Sequence, residues 1–413
     1  MIEWEFAEER PLPALPPGPE PRRTWSRRQR SVLFLVAALF FAIAAGTVWR
    51  TVQHRQQALH ADLQAVVLAE ERARAFRQTH QLAQLVVSDA PAAWSQAYAA
   101  HFANSAPIAT ALSDVSFDDQ AALVTLVVTP TSGAVLAPHL EARFYRFDGS
   151  HWKRAPLPAE RWGRQASLTV EPFFVVSYRS RDSTFAHGLA SDMQRLEARV
   201  TRQWGQAKRP REFRVDIIPQ ELSGPLFYRQ AEHVAVNSPS LAIPFSSILT
   251  PEDEIRVAVG QALIRALTEQ APVALLRHRE NARLVLAALR RAEVRHALLS
   301  PTALAAYQAQ RRAELADGWV APLITAAAYG PSTYPDTIRA QNSADLLADY
   351  VVASYGPDGL GRLARAVQRE TTWDQVLQHA FGTDMHTFLA AARDFGLGVA
   401  AGERPARWSQ VDG

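Results

Sequence analysis

The pattern of apolar and polar positions divides the chain into one long apolar run, several short strand-like runs and a series of helix-like segments. The apolar run covers residues 32–49 and contains no charged side chain. A helix rises ~1.5 Å per residue, so a helix of this length is about 27 Å long, close to the ~30 Å hydrocarbon core of a bilayer. The pattern therefore predicts a transmembrane helix over residues 31–49.

The charges beside this run predict its orientation. Only Arg50 and Arg55 follow the run closely, whereas more arginines precede it: Arg22, Arg23, Arg27, Arg28 and Arg30. By the positive-inside rule, the N-terminus stays in the cytoplasm and the C-terminal domains are exported. The predicted location is the cytoplasmic membrane, in a single pass, with the lipid bilayer as the partner of residues 31–49. A cleaved signal peptide ending near Ala42-Ile43-Ala44 is the alternative.

The segments beside the apolar run have simpler patterns. Residues 1–30 begin acidic and aromatic and then become proline-rich, which forbids a helix and favours an extended stretch. We interpret them as a cytoplasmic tail, either disordered or docking a cytoplasmic partner. Residues 50–80 place apolar side chains on one helical face and predict a helical stalk, or the first helix of the next domain. Residues 401–413 are predicted to form a disordered tail.

Residues 81–165 have the pattern of a small α+β domain. A helix is predicted around Pro91–Phe102, and Asp148-Gly149 predicts a tight hairpin because glycine accepts a positive φ. The predicted strands are Ala121–Val128, Leu140–Phe147 and His151–Ala155. Helices followed by an antiparallel sheet, with Phe144-Tyr145-Arg146 and Trp152 on the hairpin, resemble the nuclear-transport-factor-2-like fold.

Residues 166–400 predict a larger and mainly helical α+β domain. Two strand-like runs, Phe173–Tyr178 and Phe213–Ile218, are separated by a helix-like segment over Ser183–Trp204. The later segments are periodic with helical spacing. They cover 251–269, 281–298, 301–316, 343–355, 359–369, 373–381 and 384–394. The first of these begins after Thr250, which is a favourable N-cap, with Pro251 in its first turn.

Composition excludes several kinds of chemistry. The chain has no cysteine, so disulfides, thiol catalysis and cysteine-ligated zinc are impossible. Its net charge is only +3, and no basic stripe with interleaved aromatic residues is present, so nucleic acid is not an expected partner. The sequence contains no phosphate-binding glycine loop and no Gly-x-Ser-x-Gly motif. Abundant arginine and alanine indicate a bacterial source.

The segment 251–269 is apolar nearly all round, which predicts a helix buried in the centre of its domain. Zinc peptidases carry His-Glu-x-x-His on such a helix, because residues four apart place two imidazoles on one face. The neighbouring segments are Phe173–Tyr178 followed by Asp182, Arg214–Ile218, Val236–Pro239, Leu315–Trp319 and a helical C-terminal region. Together they resemble the bacterial peptidase MA-like, gluzincin-type domain. The resemblance implies a central strand at 214–218, an edge strand at 236–239 and a third metal ligand at Asp317.

The chain departs from this family at the metal helix. Gln261 and Arg265 stand where the resemblance places the two histidines, and Ala262 stands where it places the general-base glutamate. Glutamine binds zinc poorly and a guanidinium repels a cation, so we expect no catalytic residue, no cofactor and no metal. We also expect Arg265 to lie inside the domain, facing the cleft and held by Asp317 or, second, by Glu269, because a buried charge needs a partner.

These patterns predict a membrane-anchored extracytoplasmic binding or scaffold protein with a catalytically inactive zinc-peptidase-like domain. Its expected partner is a peptide or an envelope protein. Two alternatives stay open. One is an active membrane-bound hydrolase, and the other is a transmembrane signalling subunit that docks a cytoplasmic regulator through its N-terminal tail.

Overall fold

The chain folds into two compact units, Met1–Leu63 and Gln64–Gly413. The computed structural model describes residues 27–104, 108–118, 120–130, 138–170, 173–204, 212–230, 232–244, 248–268, 279–316 and 334–400. Residues 1–26 and 401–413, on which the two tail predictions fall, lie outside the described residues.

A single helix, α1, begins at Arg27 and ends at Ala75. Among the described residues, no helix is both long enough and apolar enough to cross a membrane. The predicted transmembrane helix over 31–49, and the single-pass anchor with it, is therefore wrong. Beyond Trp49 the same helix continues into polar turns with Arg50 and Arg55.

The segment predicted as a stalk is the C-terminal part of α1 followed by a short helix, α2 (Thr79–Gln84). The last turns of α1 are not exposed all round, because Val67, Glu70 and Ala73 are buried. This part of α1 therefore packs as the first helix of the second unit. Of the two predictions for this segment, a stalk or the first helix of the next domain, the second describes it.

The first sheet has four antiparallel strands in the order β1-β2-β3-β4. The helix α3 (Ala92–Asn104) precedes it, and its strands are β1 (Ile108–Asp118), β2 (Ala121–Pro130), β3 (His139–Phe147) and β4 (Trp152–Arg154). The predicted hairpin between β3 and β4 is confirmed: Gly149 has a φ of 99°, and Asp148 accepts hydrogen bonds from the amides of Ser150 and His151. The sequence pattern missed β1.

The second sheet has five strands in the order β5-β6-β7-β9-β8. They are β5 (Gln165–Val170), β6 (Phe174–Arg179), β7 (Phe213–Ile218), β8 (Leu226–Arg229) and β9 (His233–Asn237). Strands β6, β7 and β9 are parallel, while β5 and β8 pair antiparallel at the two edges. The predicted central strand, β7, is confirmed. The predicted edge strand at 236–239 is wrong, because β9 lies between β7 and β8 and both of its sides are hydrogen-bonded.

Helices make up most of the rest of the second unit. The helix α4 (Ser183–Trp204) connects β6 to β7, as predicted. The later helices also lie close to their predicted positions, and α8 begins nine residues earlier than the predicted 343. They are α5 (Pro251–Thr268), α6 (Arg279–Leu298), α7 (Pro301–Ala316), α8 (Tyr334–Tyr355), α9 (Asp358–Arg369), α10 (Trp373–Phe381) and α11 (Met385–Ala400). One large apolar core joins β6, β7 and β9 to α4, α5, α6 and the C-terminal helices.

The two sheets are tied together within the second unit. The amide of Ala142 on β3 donates to the carbonyl of Ser240 at 2.6 Å, and the amide of Leu157 donates to the Glu221 carboxylate at 2.9 Å. Leu241 also packs into the small apolar cluster of the first sheet. The predicted domain boundary near 165 is therefore crossed by both polar and apolar contacts, and the boundary itself stays a prediction.

Candidate functional site

The helix α5 carries the positions where a zinc motif was sought. Its start follows from the sequence: the amide of Asp253 donates to the Thr250 hydroxyl at 3.1 Å, and that hydroxyl donates to the Asp253 carboxylate at 3.0 Å. This reciprocal cap satisfies one of the free amides of the first turn. The helix then buries one broad face, on which Ile255, Val259 and Leu263 are almost fully inaccessible.

The predicted motif positions fall on different faces of α5. Ala262 is buried, Gln261 is partly exposed and Arg265 is exposed. The expectation that Arg265 lies inside the domain is therefore wrong. The apolar face of α5 fills its place in the core without help from residues 261 and 265. These two residues lie one turn apart on the opposite side of the helix. Asp317 and Glu269, its two predicted partners, lie outside the described residues.

A second arginine lies near Arg265. Arg229 is the last residue of the edge strand β8 and is also exposed. The pKa of Arg229 is lowered, first by partial desolvation and second by the positive charge of Arg265. Arg265 of α5 and Arg229 of β8 thus lie on neighbouring elements, and a guanidinium group at a motif position is an unfavourable environment for a divalent cation.

Metal ligands are not brought together elsewhere in the part of the chain that the structure describes. No group of three or more histidine, aspartate or glutamate side chains there has a geometry that could hold a metal ion. The described chain thus offers no replacement for the missing histidine pair of α5.

The most highly charged buried site is one that the sequence analysis missed. It lies between α1 and the first sheet, and Glu70 of α1 is at its centre with no exposed surface. The Glu70 carboxylate accepts hydrogen bonds from the hydroxyls of Tyr98 on α3, at 2.8 Å, and Tyr145 on β3, at 2.5 Å. Burial, and next the charge of Glu70, raise the pKa of both tyrosines. Both hydroxyls therefore stay protonated and act as donors.

Arg143 of β3 joins three carboxylates in this site. Its guanidinium lies 2.6 Å from Glu71, 2.7 Å from Glu141 and 3.5 Å from Glu70. Burial disfavours the charge of Arg143, but the three carboxylates outweigh it and raise its pKa. Burial likewise raises the pKa of Glu141, but the charge and hydrogen bond of Arg143 reverse this and bring it down to about 2. Both groups are therefore ionised at neutral pH.

Arg154 of β4 connects this site to the loop after β7. Its guanidinium lies 3.0 Å from Glu221 and 3.7 Å from Glu70, and it donates to the Phe144 carbonyl at 2.8 Å. It also lies 5.4 Å from the centroid of the Tyr145 ring, within cation–π distance. Arg154 therefore contacts α1, the first sheet and the segment that precedes β8.

We call these residues the buried ionic cluster. Arg74 joins it through Glu71 at 3.9 Å, Trp94 lies with its ring centroid 5.9 Å from the Arg154 guanidinium, and His101 is partly buried near Glu141. Its members are Glu70, Glu71, Arg74, Trp94, Tyr98, His101, Glu141, Arg143, Tyr145, Arg154 and Glu221. One part of this cluster is visible in the sequence of β3. Glu141, Arg143 and Tyr145 occupy every second position of the strand, so their side chains lie on the same face. Their register partners on β2 are Leu126, Val124 and Ala122, which are fully buried. Alternation of polar residues is usually typical of a solvent-facing side, so the pattern alone did not indicate burial.

A smaller buried polar site joins the second sheet to the segment before it. The carboxylate of Asp182 accepts a hydrogen bond from the Trp162 indole at 2.7 Å and from the Ser238 hydroxyl at 2.6 Å. Burial raises the pKa of Asp182, while the two hydrogen bonds oppose this shift. In the sequence, Asp182 is only one of the residues that resemble the peptidase domain. In the structure its carboxylate links the segment of Trp162 and the segment of Ser238 through hydrogen bonds.

No family model and no curated protein matches the chain. The resemblances to the peptidase MA-like and nuclear-transport-factor-2-like folds therefore rest on the order of elements and the short motifs named above, and they stay predictions.

Proposed function

We propose that the protein is a binding or scaffold protein whose larger domain has a zinc-peptidase-like fold without hydrolytic chemistry. The fold part of this proposal is supported by the element order: a parallel pair, β6 and β7, connected by the long helix α4, and the helix α5 after the strand β9. The resemblance implies a strand, a long helix, a central strand and a further strand ahead of the metal helix, although it places that last strand at the sheet edge.

One observation carries the absence of hydrolysis. Arg265 occupies the position that the resemblance gives to a metal-binding imidazole, and it lies on the exposed stripe of α5. A guanidinium remains protonated at any physiological pH, so it neither donates a lone pair to a metal nor tolerates one beside it. Ala262, at the general-base position, has no group that activates water and lies on the buried face of the helix.

The experiment compares metal content and hydrolysis in the purified full-length chain. We expect less than one zinc per chain after exposure to zinc and dialysis, and no cleavage of casein or of a mixed peptide library. The matched control is the double variant Gln261→His, Arg265→His. Both positions lie on the accessible stripe of α5, one turn apart, so this variant gains a two-imidazole site and retains added zinc or nickel.

Tight stoichiometric zinc in the unmodified chain, together with hydrolysis that chelators abolish, would overturn the proposal in favour of the hydrolase alternative. If the unmodified chain and the double variant retain the same small amount of metal, positions 261 and 265 do not face one site, and the alignment of α5 with the zinc motif is wrong. The proposed role of this domain is therefore to bind a peptide or an envelope protein.

A further inference from the structure

The two sheets have four edge strands, and three of these carry features that hinder pairing with another chain. An edge strand presents unpaired amides and carbonyls, and proteins blunt such edges with bulges, charges or very short strands. In β1 the register shifts between Leu112 and Asp114, and β8 has a similar shift and ends at the charged Arg229. The strand β4 is only three residues long and is bridged to Val86.

The fourth edge strand, β5, has none of these features. It pairs regularly with β6 over six residues, Gln165–Val170, and contains neither a charged residue nor a proline. Its side chains alternate between exposed and partly buried. Among the described strands, β5 is therefore the edge that is least protected against pairing with another strand.

The pairing of β5 with β6 determines which of its backbone groups point outward. The amide of Ser180 donates to the carbonyl of Arg164 at 2.9 Å, and this pair continues the register of the two strands. Hydrogen-bonded pairs alternate with non-hydrogen-bonded pairs in an antiparallel ladder. The amides and carbonyls that point away from β6 therefore belong to Gln165, Ser167 and Thr169. Within the described part of the chain, no further strand pairs with this edge.

We propose that this edge is the interface of a dimer, in which β5 pairs antiparallel with β5 of a second copy of the chain. One register uses all of the outward groups. In this register Ser167 lies opposite Ser167 of the second copy, and Gln165 lies opposite Thr169 of the second copy. Each of these opposed pairs forms two backbone hydrogen bonds, and the sheets of the two copies become one continuous sheet.

The side chains of β5 fit this arrangement. Ala166, Leu168 and Val170 pack only partly against the large apolar core. The register places Leu168 opposite Ala166 of the second copy, so both lose exposed apolar surface on pairing.

The charges at the ends of β5 favour a second copy over an unrelated extended peptide. In the sequence, Arg164 precedes the strand and Glu171 follows it. Antiparallel pairing of two copies brings the positive end of one strand to the negative end of the other, whereas parallel pairing brings like charges together. The edge is therefore complementary to itself in the antiparallel orientation.

Single-cysteine variants of the full-length chain test the register, because the chain contains no cysteine of its own. In the proposed dimer the Cα atoms of the two Ser167 residues lie about 5.5 Å apart, within the ~4.4–6.8 Å that a disulfide spans. We expect Ser167→Cys to form a disulfide-linked dimer under mild oxidation, measured by non-reducing gel electrophoresis. The matched controls are Gln165→Cys and Thr169→Cys. Each alone places its two cysteines about 14 Å apart and stays uncross-linked, while an equal mixture of the two variants cross-links.

The oligomeric state tests the interface without a covalent link. We expect sedimentation of the unmodified full-length chain to show a dimer that dissociates on dilution. Ser167→Lys and Ser167→Asp each place like charges opposite one another and should raise the dissociation constant about fivefold, whereas mixing the two variants restores the dimer. The side chain of Ser167 is exposed, so neither variant disturbs the core.

A monomer at every concentration overturns the proposal and leaves the edge to an extended peptide. Association that neither charged variant weakens also overturns it, because self-association then uses another surface. The same holds if Ser167→Cys stays uncross-linked, or if Gln165→Cys alone cross-links as efficiently, because the two copies are then not paired in the proposed register.

Discussion

The packing of α9 on the end of α4 depends on a glycine, and this gives the sharpest stability prediction. A Cβ atom added to Gly361 would lie 2.7 Å from both the Cβ and the carbonyl oxygen of Gln203, and 3.0 Å from its carbonyl carbon. Carbon atoms in favourable contact are ~3.5–4.0 Å apart. Two of these three atoms belong to the backbone of α4, so a side-chain rotation does not relieve the overlap.

The contacts around this position restrict relaxation further. Arg365 of α9 donates to the same Gln203 carbonyl, and the Gln203 side chain donates to Asp358 at the start of α9. Moving α9 away from α4 to accommodate a methyl group strains both hydrogen bonds. Overpacking of this kind costs ~1–3 kcal/mol, while exchanging glycine for alanine in a helix returns up to ~1 kcal/mol. We therefore expect Gly361→Ala to lower the free energy of unfolding by about 1–2 kcal/mol.

Urea denaturation followed by circular dichroism measures this change, and Gly188→Ala is the matched control. Gly188 lies in α4, and a Cβ atom there would meet only the end of the Arg256 side chain, at 3.8 Å, which is an ordinary contact. This control should gain up to ~1 kcal/mol from helix propensity. The reasoning is refuted if Gly361→Ala is as stable as the unmodified chain, or if the two variants shift the midpoint in the same direction by similar amounts.

Two further stability predictions concern hydrogen bonds. Trp162→Phe removes a donor from the buried Asp182 carboxylate and should cost ~1–3 kcal/mol in urea denaturation. Because burial already raises the pKa of Asp182, the loss should be larger at pH 8 than at pH 5, and an equal loss at both would contradict this account. Thr372→Ala removes the N-cap of α10, whose hydroxyl accepts the Gln375 amide at 3.3 Å, and should cost ~1 kcal/mol, with Thr372→Ser retaining most of the stability.

The exposed position of Arg265 shows where a pattern of residue types misleads. The apolar composition of 251–269 predicted correctly that α5 packs in the core, and Leu263 and Ile264 are almost fully buried. The same composition does not tell a helix that is buried on every side from a helix that is buried on most sides and exposed along one narrow stripe. A guanidinium at the end of a long side chain reaches solvent from such a stripe.

The transmembrane prediction is also wrong. The apolar run 32–49 lies within α1, which extends to Ala75. No described helix meets the length and composition that crossing a membrane requires. The predicted location outside the cytoplasm was derived from the same run and stays a prediction.

What the sequence alone determined is the local structure: helices α4 to α11 within a few residues of their ends, except for the start of α8, which lies nine residues earlier than predicted, together with the hairpin at Gly149 and the absence of a histidine pair on α5. These follow from periodicity, capping residues and side-chain chemistry, which act over a few positions along the chain. Only the tertiary structure decided which residues meet. Glu70, Tyr145, Arg154 and Glu221 are up to 151 positions apart in the printed sequence, and each alone reads as an ordinary polar residue. Their burial becomes visible only when α1, the first sheet and the loop after β7 are packed together, because the cost of burying a charge is met by partners that no local pattern specifies.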